Sequence, residues 1–389
     1  MKNYDLVSRI AFVSGSYPEP WGPYSGIFLK ELIQAIARQG IQCFPVHPIQ
    51  IDRWLRHAIF GGKSIRRVEL HDAIRPKYLS ASNRAIGPFN TFHITQAMFQ
   101  RATLHALRRL NPKPDAIYGH FLYPGGGATI WCGKRMGVPS FVAVGEGIFW
   151  SVSDVGYNRA RQDFRDVTGV IAVSSLLKNK LVAELGIPVS KIGVFHNGVD
   201  LTRFFRRPRQ EIRHKYGFPQ DLFLVAFVGN FLHAKGVERV VAAIDGQDGV
   251  AGLFAGVGPL TPTGRNVINC GRVSHDCVPE ILSAADVFVL PTLVEGSCNT
   301  IVEAMACGLP IITSSSEFND DLVDDSVSIR IDPMDVSAIR NAIVALRDNP
   351  ERCEKMSKSA LYRSKRFDID MRAKRICAFI SERIQAKEN

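Results

Sequence analysis

The chain has 389 residues, of which 46% are hydrophobic and 22% charged, and its net charge is +11. A chain of this length exceeds one ordinary core, so we expect two domains of roughly 180 residues each, and the composition excludes a disordered or fibrous protein. No apolar run approaches the ~20 residues that cross a bilayer, and the polar start before Ile10 is unlike a signal peptide.

Cysteine usage indicates the compartment. The eight cysteines are scattered along the chain without a CxxC pair. Such spacing is typical of reduced thiols that mostly fill the core of a cytoplasmic protein. We therefore expect a cytoplasmic chain without a disulfide framework.

Positive charge is concentrated between Ile51 and Pro114, where twelve Lys or Arg residues accompany only three acids. Apolar residues are interspersed with this charge: Trp54, Ile59, Phe60, Phe89, Phe92 and Phe99. The stretch is either an ordinary solvated surface or a patch that contacts an anionic acceptor or the inner face of an anionic membrane. No nucleic-acid-binding signature accompanies the charge, so nucleic acid is not an expected partner.

Short β-branched and aromatic runs alternate with amphipathic stretches, which is typical of parallel α/β structure. The predicted strands are residues 10–13, 116–119, 140–144, 169–173 and 192–195 in the first half, and 222–228, 253–255, 267–269, 287–290 and 310–313 in the second. After the first strand, the turn from Gly15 to Gly26 leads into a helix with one apolar face that ends near Gly40. The polar, basic stretch 200–220 is the predicted linker, and residues 370–385 predict a basic helix.

The most informative segment, residues 295–310, follows a strongly predicted strand. Its helix should start within 297–300 and end at Gly308. Small residues before the helix leave N–H groups accessible, and the helix dipole favours an anion there. Glu303, in the first turns, can accept hydrogen bonds from a vicinal diol such as a ribose, and Glu295 can reach another part of the same ligand.

A simpler explanation exists for Glu303. Thr300 and Glu303 have the spacing of a capping box, in which the glutamate only satisfies a backbone N–H group. Two carboxylates eight residues apart around a glycine-rich helix start are less easily explained by capping. Both interpretations of Glu303 stay open at this point.

A second candidate site is the strand-to-helix turn that opens the second half and contains Asn230 and Lys235. Open α/β sheets bind ligands at such turns, and Lys235 would place a cation beside a diphosphate. Gly256 follows another predicted strand, and because it has no side chain the backbone at that strand end is accessible. A lone lysine in a turn is usually just solvated, so neither feature is specific by itself.

In the first half, His120 follows a predicted strand and precedes a glycine-rich run. It either contacts or protonates a polar substrate, or it has a structural role. The turn with Gly15 and Gly26 either approaches a ligand closely or is simply a loop.

Several ligand classes lack support. No set of residues has metal-ligand spacing, and Asp368-x-Asp370, which matches the DxD pattern of metal-dependent sugar transferases, lies beside the last predicted helix without a strand before it. We interpret that pair as surface and expect no metal. Because neither GxGxxG with a following acid nor GxxxxGK[ST] is found, a nicotinamide enzyme and a P-loop enzyme are not expected.

Together these segments resemble a family 4 retaining glycosyltransferase of the GT-B fold, over essentially the full length. The resemblance is carried by Glu295-x7-Glu303 with the Ala-Met-Ala-Cys-Gly-Leu-Pro around its end, and by residues 285–291, 256–259, 173–178 and 196–200. It implies two Rossmann-like domains that face each other across a cleft. Residues 1–200, with the returning helix 370–389, would form the acceptor-side domain, and residues 201–369 the nucleotide-sugar-binding domain.

The resemblance also implies roles for individual residues. Glu303 would hold the ribose hydroxyls, Lys235 the diphosphate, and His120 would contact the donor sugar near the reaction centre. The donor sugar and phosphate would also contact Glu295 and the backbone of Gly296, Ser297, Cys298, Asn299 and Thr300. The implied catalytic set is thus His120, Glu295 and Lys235.

Other positions would surround the same ligand. By the resemblance, Gly15 and Gly26 would line the cleft below the phosphates, and Gly256 would belong to the donor site. The backbone near Arg272 is where the nucleotide base is often contacted.

Two departures from the family pattern matter. The family usually has an arginine where this chain has Asn230, so a cation beside the diphosphate is lost unless Arg272 or another residue supplies it. Residues 316–321 also replace a common Gly-Gly turn after the strand that follows Pro310. Neither departure removes the glutamate pair or Lys235.

The function implied by the resemblance is metal-independent transfer, with retention of configuration, of a sugar from a nucleotide diphosphate of the UDP or GDP type. Attack would occur on the front face, with the leaving phosphate accepting the acceptor's proton. The acceptor would be a glycan, a lipid-linked glycan or another hydroxyl compound in surface polysaccharide or glycoconjugate synthesis, and no cofactor is expected. One alternative is a nucleotide-sugar 2-epimerase on the same fold. Another, motivated by Asn230, is a catalytically silent scaffold subunit.

Overall fold

The structure is a computed structural model of the whole chain, and it describes residues 7–19, 22, 25–52, 54–55, 73–80 and 91–388. The chain forms two compact units. Unit 1 comprises Met1–Phe195 and Asp370–Asn389, and unit 2 comprises His196–Ile369. The division after Phe195 lies five residues before the boundary at 200 that the sequence suggests.

Unit 1 is built on a parallel six-stranded sheet in the order β2-β1-β5-β6-β7-β8. The strands of this unit are β1 Arg9–Val13, β2 Gln42–Val46, β3 Ile49–Gln50, β4 Lys77–Tyr78, β5 Ala116–His120, β6 Ser140–Val144, β7 Gly169–Ala172 and β8 Ile192–Val194. The short β3 and β4 pair separately with each other. Strands β5, β6 and β7 are buried at every position, because helices cover both faces of a parallel sheet.

Helices connect the strands of unit 1. They are α1 Ile27–Arg38, α2 Phe92–Arg108, α3 Gly127–Met136, α4 Trp150–Val155, α5 Tyr157–Phe164 and α6 Ser175–Leu185. The predicted apolar face of α1 is confirmed, since Leu29, Leu32, Ile33 and Ile36 are buried. The helix begins after Gly26, whose φ of 68° is left-handed and whose Cβ would lie 2.5 Å from the Ser16 carbonyl oxygen.

Unit 2 is built on a second parallel six-stranded sheet, in the order β11-β10-β9-β12-β13-β14. Its strands are β9 Phe223–Val228, β10 Val250–Ala255, β11 Val267–Gly271, β12 Val287–Leu290, β13 Ile311–Ser314 and β14 Ser328–Ile331. In the numbering of this unit alone the order is third, second, first, fourth, fifth, sixth. That order is the doubly wound arrangement of dinucleotide-binding sheets.

The helices of unit 2 are α7 Arg209–Tyr216, α8 Val237–Ile244, α9 Val278–Ala284, α10 Asn299–Ala306, α11 Val336–Arg347 and α12 Pro350–Ser364. Helix α7 corrects the sequence analysis, which took residues 200–220 as a linker. Arg213 on α7 is buried, and its Nη2 donates to Asp286 at 2.6 Å. The helix therefore belongs to the core of unit 2 through a contact with a residue 73 positions away.

The last helix, α13 Ile369–Glu388, belongs to unit 1 from Asp370 onward. Its Phe379 ring lies 6.3 Å from that of Phe141 and 5.3 Å from that of Phe195. Arg383 of the same helix donates from Nη1 to the Ser190 carbonyl oxygen at 3.2 Å. The chain thus returns to its first sheet at its C-terminal end.

Much of the basic stretch between Ile51 and Pro114 lies outside the described residues, including Ile59, Phe60 and Phe89. Of the described residues in it, Phe99 is buried in α2, and the Lys77 Nζ lies 3.2 Å from the centre of the Trp54 ring. Within the described part of the chain, no helix combines the length and the apolar character that crossing a membrane requires. All eight cysteines are free thiols.

Candidate active site

The strand order of unit 2 reverses between β9 and β12, which are neighbours in the sheet. From β9 the chain continues through β10 and β11 on one side, and β12, β13 and β14 lie on the other. In open α/β sheets, ligands bind at the carboxyl ends of the strands at such a switch point. The loops after β9 and β12 contain Lys235 and Glu295, so the structure places these two predicted residues at the switch point.

Glycines at the ends of β9 and β10 let the two following loops approach each other closely. A Cβ on Gly256 would lie 1.8 Å from the Gly229 carbonyl oxygen, so only glycine fits where these two loops touch. After Gly229 the chain makes a short 3-10 turn, His233–Lys235, and then Gly236 adopts a left-handed φ of 79°. The turn brings the Lys235 side chain to the β12 loop.

Lys235 and Glu295 form an ion pair, with the lysine Nζ donating to the carboxylate Oε1. Both side chains are partly buried, at 24% and 14% exposure. Burial lowers the pKa of Lys235, but the neighbouring Glu295 carboxylate and Cys298 together raise it, and the net direction is upward. The amine is therefore a permanent cation at physiological pH, available to an anion that enters the switch point.

Helix α10 starts at Asn299 with Cys298 as its N-cap residue, and no side chain caps it. The first backbone N–H groups of such a helix have no intrahelical acceptor, which favours an anion there. Just before the helix, the buried Ser297 Oγ has no hydrogen-bond partner among the described residues. Burial raises the pKa of the Cys298 thiol to about 12, so this cysteine is a neutral packing residue.

The capping-box explanation of Glu303 is wrong. It requires Thr300 as the N-cap residue, but Thr300 is the second residue of α10 and its Oγ1 lies 3.3 Å from the Cys298 sulfur. Glu303 instead has a carboxylate oxygen 3.7 Å from the His275 Nε2. The side chain of Glu303 is 15% exposed and is not committed to the helix terminus.

His275 was missed by the sequence analysis. Its Nδ1 lies 3.0 Å from the Arg203 Nη2, which can only donate, so Nδ1 accepts and the neutral ring carries its proton on Nε2. That proton faces Glu303. The only sequence signal was its position two residues after Val273, in the loop that follows β11.

The remaining predicted donor residues occupy the same loops. Asn230 and Arg272 are exposed, after β9 and β11 respectively, while Gly296 is buried. The Asn299 Oδ1 accepts from the Asn197 Nδ2 at 2.6 Å, so this side chain is already engaged within unit 2. Within residues 316–321, Glu317–Asn319 form a 3-10 turn in which buried Asn319 donates to the Ser314 carbonyl oxygen at 2.9 Å, so these residues have a structural role.

Unit 1 has a switch point of its own, between β1 and β5. Gly15 follows β1, and His120 is the last residue of β5. His120 is 7% exposed, and neither ring nitrogen has a hydrogen-bond partner among the described residues. Burial, reinforced by Arg372, lowers the pKa of His120 to about 3. The imidazole is therefore neutral in the ligand-free protein, which suits hydrogen-bond contact with a polar substrate.

The backbone after His120 is strained. Phe121 has φ of 66° and ψ of 161°, a region that is nearly restricted to glycine. A carboxylate holds this turn, because the Glu146 Oε1 accepts from the Leu122 N–H at 2.6 Å and its Oε2 from the Gly145 N–H at 3.0 Å. Sequence reasoning missed Glu146, although it follows β6, the neighbour of β5, at the same edge of the sheet.

One carboxylate of the DxD pattern is engaged in an ion pair. The Asp370 Oδ1 accepts from the Arg38 Nε at 2.8 Å in a half-exposed ion pair. Among the residues that the structure describes, no group of three or more His, Cys, Asp or Glu side chains has the arrangement of a metal site.

Two family profiles match adjoining parts of the chain. Residues 25–203 match the family described as Glycosyltransferase Family 4, and residues 208–362 match the one described as Glycosyl transferases group 1. The first profile falls largely in unit 1 and the second in unit 2.

Similar proteins agree with the profiles. TuaC of Bacillus subtilis (strain 168), a glycosyltransferase provisionally assigned to teichuronic acid biosynthesis, is 26% identical over 352 residues, covering 86% of this chain and 88% of its own. Sucrose-phosphate synthase from Thermosynechococcus elongatus has a similar structure, with a TM-score of 0.76, 17% identity and coverage of 97% and 100%. Alr3699/HepE of Anabaena, solved in complex with UDP, has a TM-score of 0.74, 16% identity and coverage of 96% and 100%.

Two α/β units, each with a parallel sheet and polar strand-end loops, define the GT-B class of enzymes, and the structural neighbours share this fold. The chain belongs to the group 1, family 4 glycosyltransferases.

Proposed function

We propose that the protein transfers a sugar from a nucleotide diphosphate to a hydroxyl acceptor with retention of configuration and without a metal ion. The observation that carries the proposal is the arrangement at the switch point of unit 2. There the Lys235–Glu295 ion pair joins two strand-end loops, and the uncapped helix α10, which carries the partly buried Glu303, follows the second of these loops. A cation, free N–H groups and a carboxylate are the partners that a diphosphate and a ribose require.

Each residue has a distinct part in this proposal. Lys235 and the first N–H groups of α10 bind the diphosphate and stabilise the charge that grows on it as it leaves. Glu303, oriented by the Nε2–H of His275, accepts hydrogen bonds from the ribose hydroxyls. Glu295, fixed by Lys235, contacts the donor sugar.

No conventional nucleophile is assigned, and front-face attack needs none. The bond between the sugar C1 and the phosphate oxygen breaks, and the bond between C1 and the acceptor oxygen forms on the same face. The acceptor's proton passes to an oxygen of the departing phosphate. In unit 1, the neutral His120 contacts a sugar hydroxyl as a hydrogen-bond partner rather than as an acid.

We further propose a UDP or GDP sugar as donor and a surface polysaccharide or glycoconjugate as the product. Support comes from relatives, since Alr3699/HepE of Anabaena was solved with UDP and with UDP-glucose, and the B. subtilis relative is named for teichuronic acid biosynthesis. The free thiols agree with a reaction in the cytoplasm. Contact of the basic stretch 51–114 with the inner face of a membrane stays part of the proposal.

The test is product analysis with UDP-glucose and GDP-mannose, with and without a panel of saccharide glycosides, in buffer containing EDTA. Acceptor-dependent release of nucleoside diphosphate supports transfer. Retention is supported if NMR shows that the transferred sugar has the same anomeric configuration in the product as in the donor. Conversion of the nucleotide sugar without an acceptor indicates a 2-epimerase. Binding of a nucleotide sugar without any turnover indicates a silent scaffold, and loss of turnover in EDTA contradicts metal independence.

A further inference from the structure

A pocket of about 270 Å³ lies in unit 1, beside the turn Leu122–Gly126 that follows β5. Helices α2, α4 and α5 form its other walls. Aromatic, amide and charged side chains line it together: Phe92, Gln96, Gln100, Tyr123, Arg159 and Asp163. Small-molecule pockets begin at roughly 300 Å³, so this space suits a single sugar ring rather than a nucleotide.

The pocket is separate from the ring of His120. The centre of that ring lies 5.1 Å from the centre of the Phe28 ring on α1. Tyr123, three residues later, packs instead between α2 and α5, with its ring 6.3 Å from that of Phe92 and 5.7 Å from that of Phe164. The two side chains leave the same strand end toward different helices. A ligand in the pocket would therefore be a different group from the one that contacts His120.

Asp163 is held in the pocket wall as a hydrogen-bond acceptor. Its Oδ2 accepts from the Tyr123 hydroxyl at 2.9 Å, and its Oδ1 accepts from the Arg159 Nε at 2.9 Å. A carboxylate has about four acceptor positions, so each oxygen keeps one for a ligand. The side chain of Asp163 is 24% exposed, so a ligand can reach it. Two neighbouring hydroxyls of a sugar are donors that fit such a carboxylate.

Gln96 adds a buried amide to the same pocket. Its Nε2 donates to the Pro124 carbonyl oxygen at 3.1 Å, and this contact fixes which way the amide points. Its Oε1 is buried and has no hydrogen-bond partner in the part of the chain that the structure describes. Buried acceptors rarely stay without a partner, and a sugar hydroxyl would supply the missing donor.

The charge of the pocket narrows the class of ligand. Among the described residues that line it, Lys, Arg, Asp and Glu are represented only by Arg159 and Asp163. These two form an ion pair, so their charges cancel. The rings of Phe92 and Tyr123 offer apolar surface for the C–H face of a sugar. The lining therefore favours a neutral sugar over a uronate or a phosphorylated one.

We infer that this pocket is a second saccharide subsite, which holds one neutral sugar unit of a glycan acceptor away from its reacting hydroxyl. Asp163 and Gln96 accept hydrogen bonds from the hydroxyls of that unit, and the Phe92 ring packs against its C–H face. The inference rests on the proposed function only in taking the glycan to be the acceptor. A second subsite means that acceptors of two or more sugars bind better than a monosaccharide.

The first experiment needs no turnover. Saturation-transfer NMR on the full chain measures binding of the methyl glycosides of glucose, galactose, mannose, N-acetylglucosamine and glucuronic acid. A Glu295→Gln background keeps the proposed sugar contact of unit 2 from contributing. We expect at least one neutral glycoside to bind, and to bind better than the glucuronide. Asp163→Asn should weaken that binding at least about fivefold, because a hydrogen bond to a charged group is lost.

Matched variants separate binding from folding. Ala97→Leu fills the pocket and leaves every polar group in place, so it should also abolish glycoside binding. Gln162→Ala changes an exposed residue of α5 outside the pocket and should keep full binding. The melting temperature of Asp163→Asn should stay close to that of its parent, since its partner Arg159 is 63% exposed. If no neutral glycoside binds, or if binding survives both Asp163→Asn and Ala97→Leu, the inference is overturned, whether or not the protein is a transferase.

The second experiment tests whether the bound sugar belongs to the acceptor. In the protein that retains Glu295, transfer is compared between a neutral oligosaccharide and the methyl glycoside of its terminal sugar. Asp163→Asn should raise the KM of the oligosaccharide about fivefold with little effect on its kcat, because it removes binding that the ground state and the transition state share. The KM of the monosaccharide glycoside should rise much less. An unchanged oligosaccharide KM would show that the pocket holds no part of the acceptor. Absence of transfer to every acceptor would contradict the proposed function and leave the binding result as the test of the pocket.

Discussion

The Nζ of Lys235 donates to the carboxylate of Glu295, and this contact joins the two strand-end loops on either side of the switch point in unit 2. The lysine comes from the loop after β9 and the glutamate from the loop after β12, 60 residues later. A Thr292 hydroxyl approaches the same carboxylate at 3.5 Å. The ion pair therefore holds a cation in position before any ligand binds.

Replacing Lys235 with methionine should lower the rate of sugar transfer about 100-fold or more, because the developing charge of the leaving diphosphate loses its cation. Initial rates at saturating donor measure this effect. Lys235→Met also leaves the Glu295 carboxylate without its lysine partner, so the melting temperature of this variant should fall below that of the native chain. The double variant Lys235→Met/Glu295→Gln should recover melting temperature without recovering the rate. Recovery of the rate in the double variant would mean that the pair is only structural.

Asn230 offers a gain-of-affinity test. It is exposed in the loop after β9, where the family usually has an arginine. Asn230→Arg should tighten binding of a nucleoside diphosphate severalfold, because a second cation joins Lys235, and it should leave binding of the nucleoside unchanged. Calorimetric titration with UDP and uridine, or GDP and guanosine, measures both. Equal tightening of nucleoside and diphosphate would rule out a phosphate contact at this position.

Asp286 should be a stability residue. Its carboxylate accepts from the Arg209 Nη1 at 2.5 Å, from the buried Arg213 Nη2 at 2.6 Å and from the Leu224 N–H at 2.7 Å. Breaking such a buried network typically costs about 3–5 kcal/mol, so Asp286→Asn should lower the free energy of unfolding by roughly that amount. Denaturation by urea measures it.

A surface ion pair in the same unit provides the control for Asp286. The Arg330 Nη1 lies 2.6 Å from the Asp320 Oδ1, but Asp320 is 55% exposed. Asp320→Asn should therefore cost at most about 1 kcal/mol. Similar losses in the two variants would contradict the assignment of α7 to the core of unit 2.

Glu146 should make stability depend on pH. Burial raises its pKa from the ordinary value of 4.5 to about 7, and the N–H groups of Leu122 and Gly145 offset this only in part. Between these two pH values the folded protein binds more protons than the unfolded chain, so the contribution of Glu146 to stability falls as pH rises from 4.5 to 7 and is constant above.

The unfolding free energy of the native chain should therefore fall relative to that of Glu146→Gln as pH rises, by up to about 3 kcal/mol between pH 4.5 and pH 8. Urea denaturation across this range gives the two curves. The exposed Glu351→Gln serves as the control and should run parallel to the native chain. A Glu146→Gln curve parallel to the native one would show that the carboxyl is not held in its protonated form by burial.

The central strands could be predicted from the sequence because each is a short, mostly apolar run. The strand at 287–290 has the predicted bounds, and α10 starts and ends within the predicted limits. Strands β2 and β14 were missed because they are edge strands. Gln42–Val46 contains a proline and is mostly half-exposed, and Ser328–Ile331 alternates polar with apolar residues.

Long-range contacts explain what the sequence could not predict. Helix α7 is mainly polar, and it joins the core because Arg213 reaches Asp286, which local composition does not indicate. Arg372 sits in a helix whose sequence predicts only that it is basic, yet this residue is buried because α13 belongs to unit 1. His275 and Glu146 follow strands at the ligand edge, but only the spatial neighbours Glu303 and Leu122 show their importance.

The most direct test of the account is thermal stabilisation by UDP-, GDP-, ADP-, CMP- and dTDP-sugars, measured on the native chain and on Glu303→Ala. A ligand present at 100 times its dissociation constant adds about 2.7 kcal/mol, which is readily detected. We predict that one nucleotide class stabilises the native chain and that Glu303→Ala, folded but lacking the carboxylate beside His275, loses that stabilisation. Equal stabilisation of both proteins, or none of the native chain by any nucleotide sugar, would contradict a donor site at the switch point of unit 2.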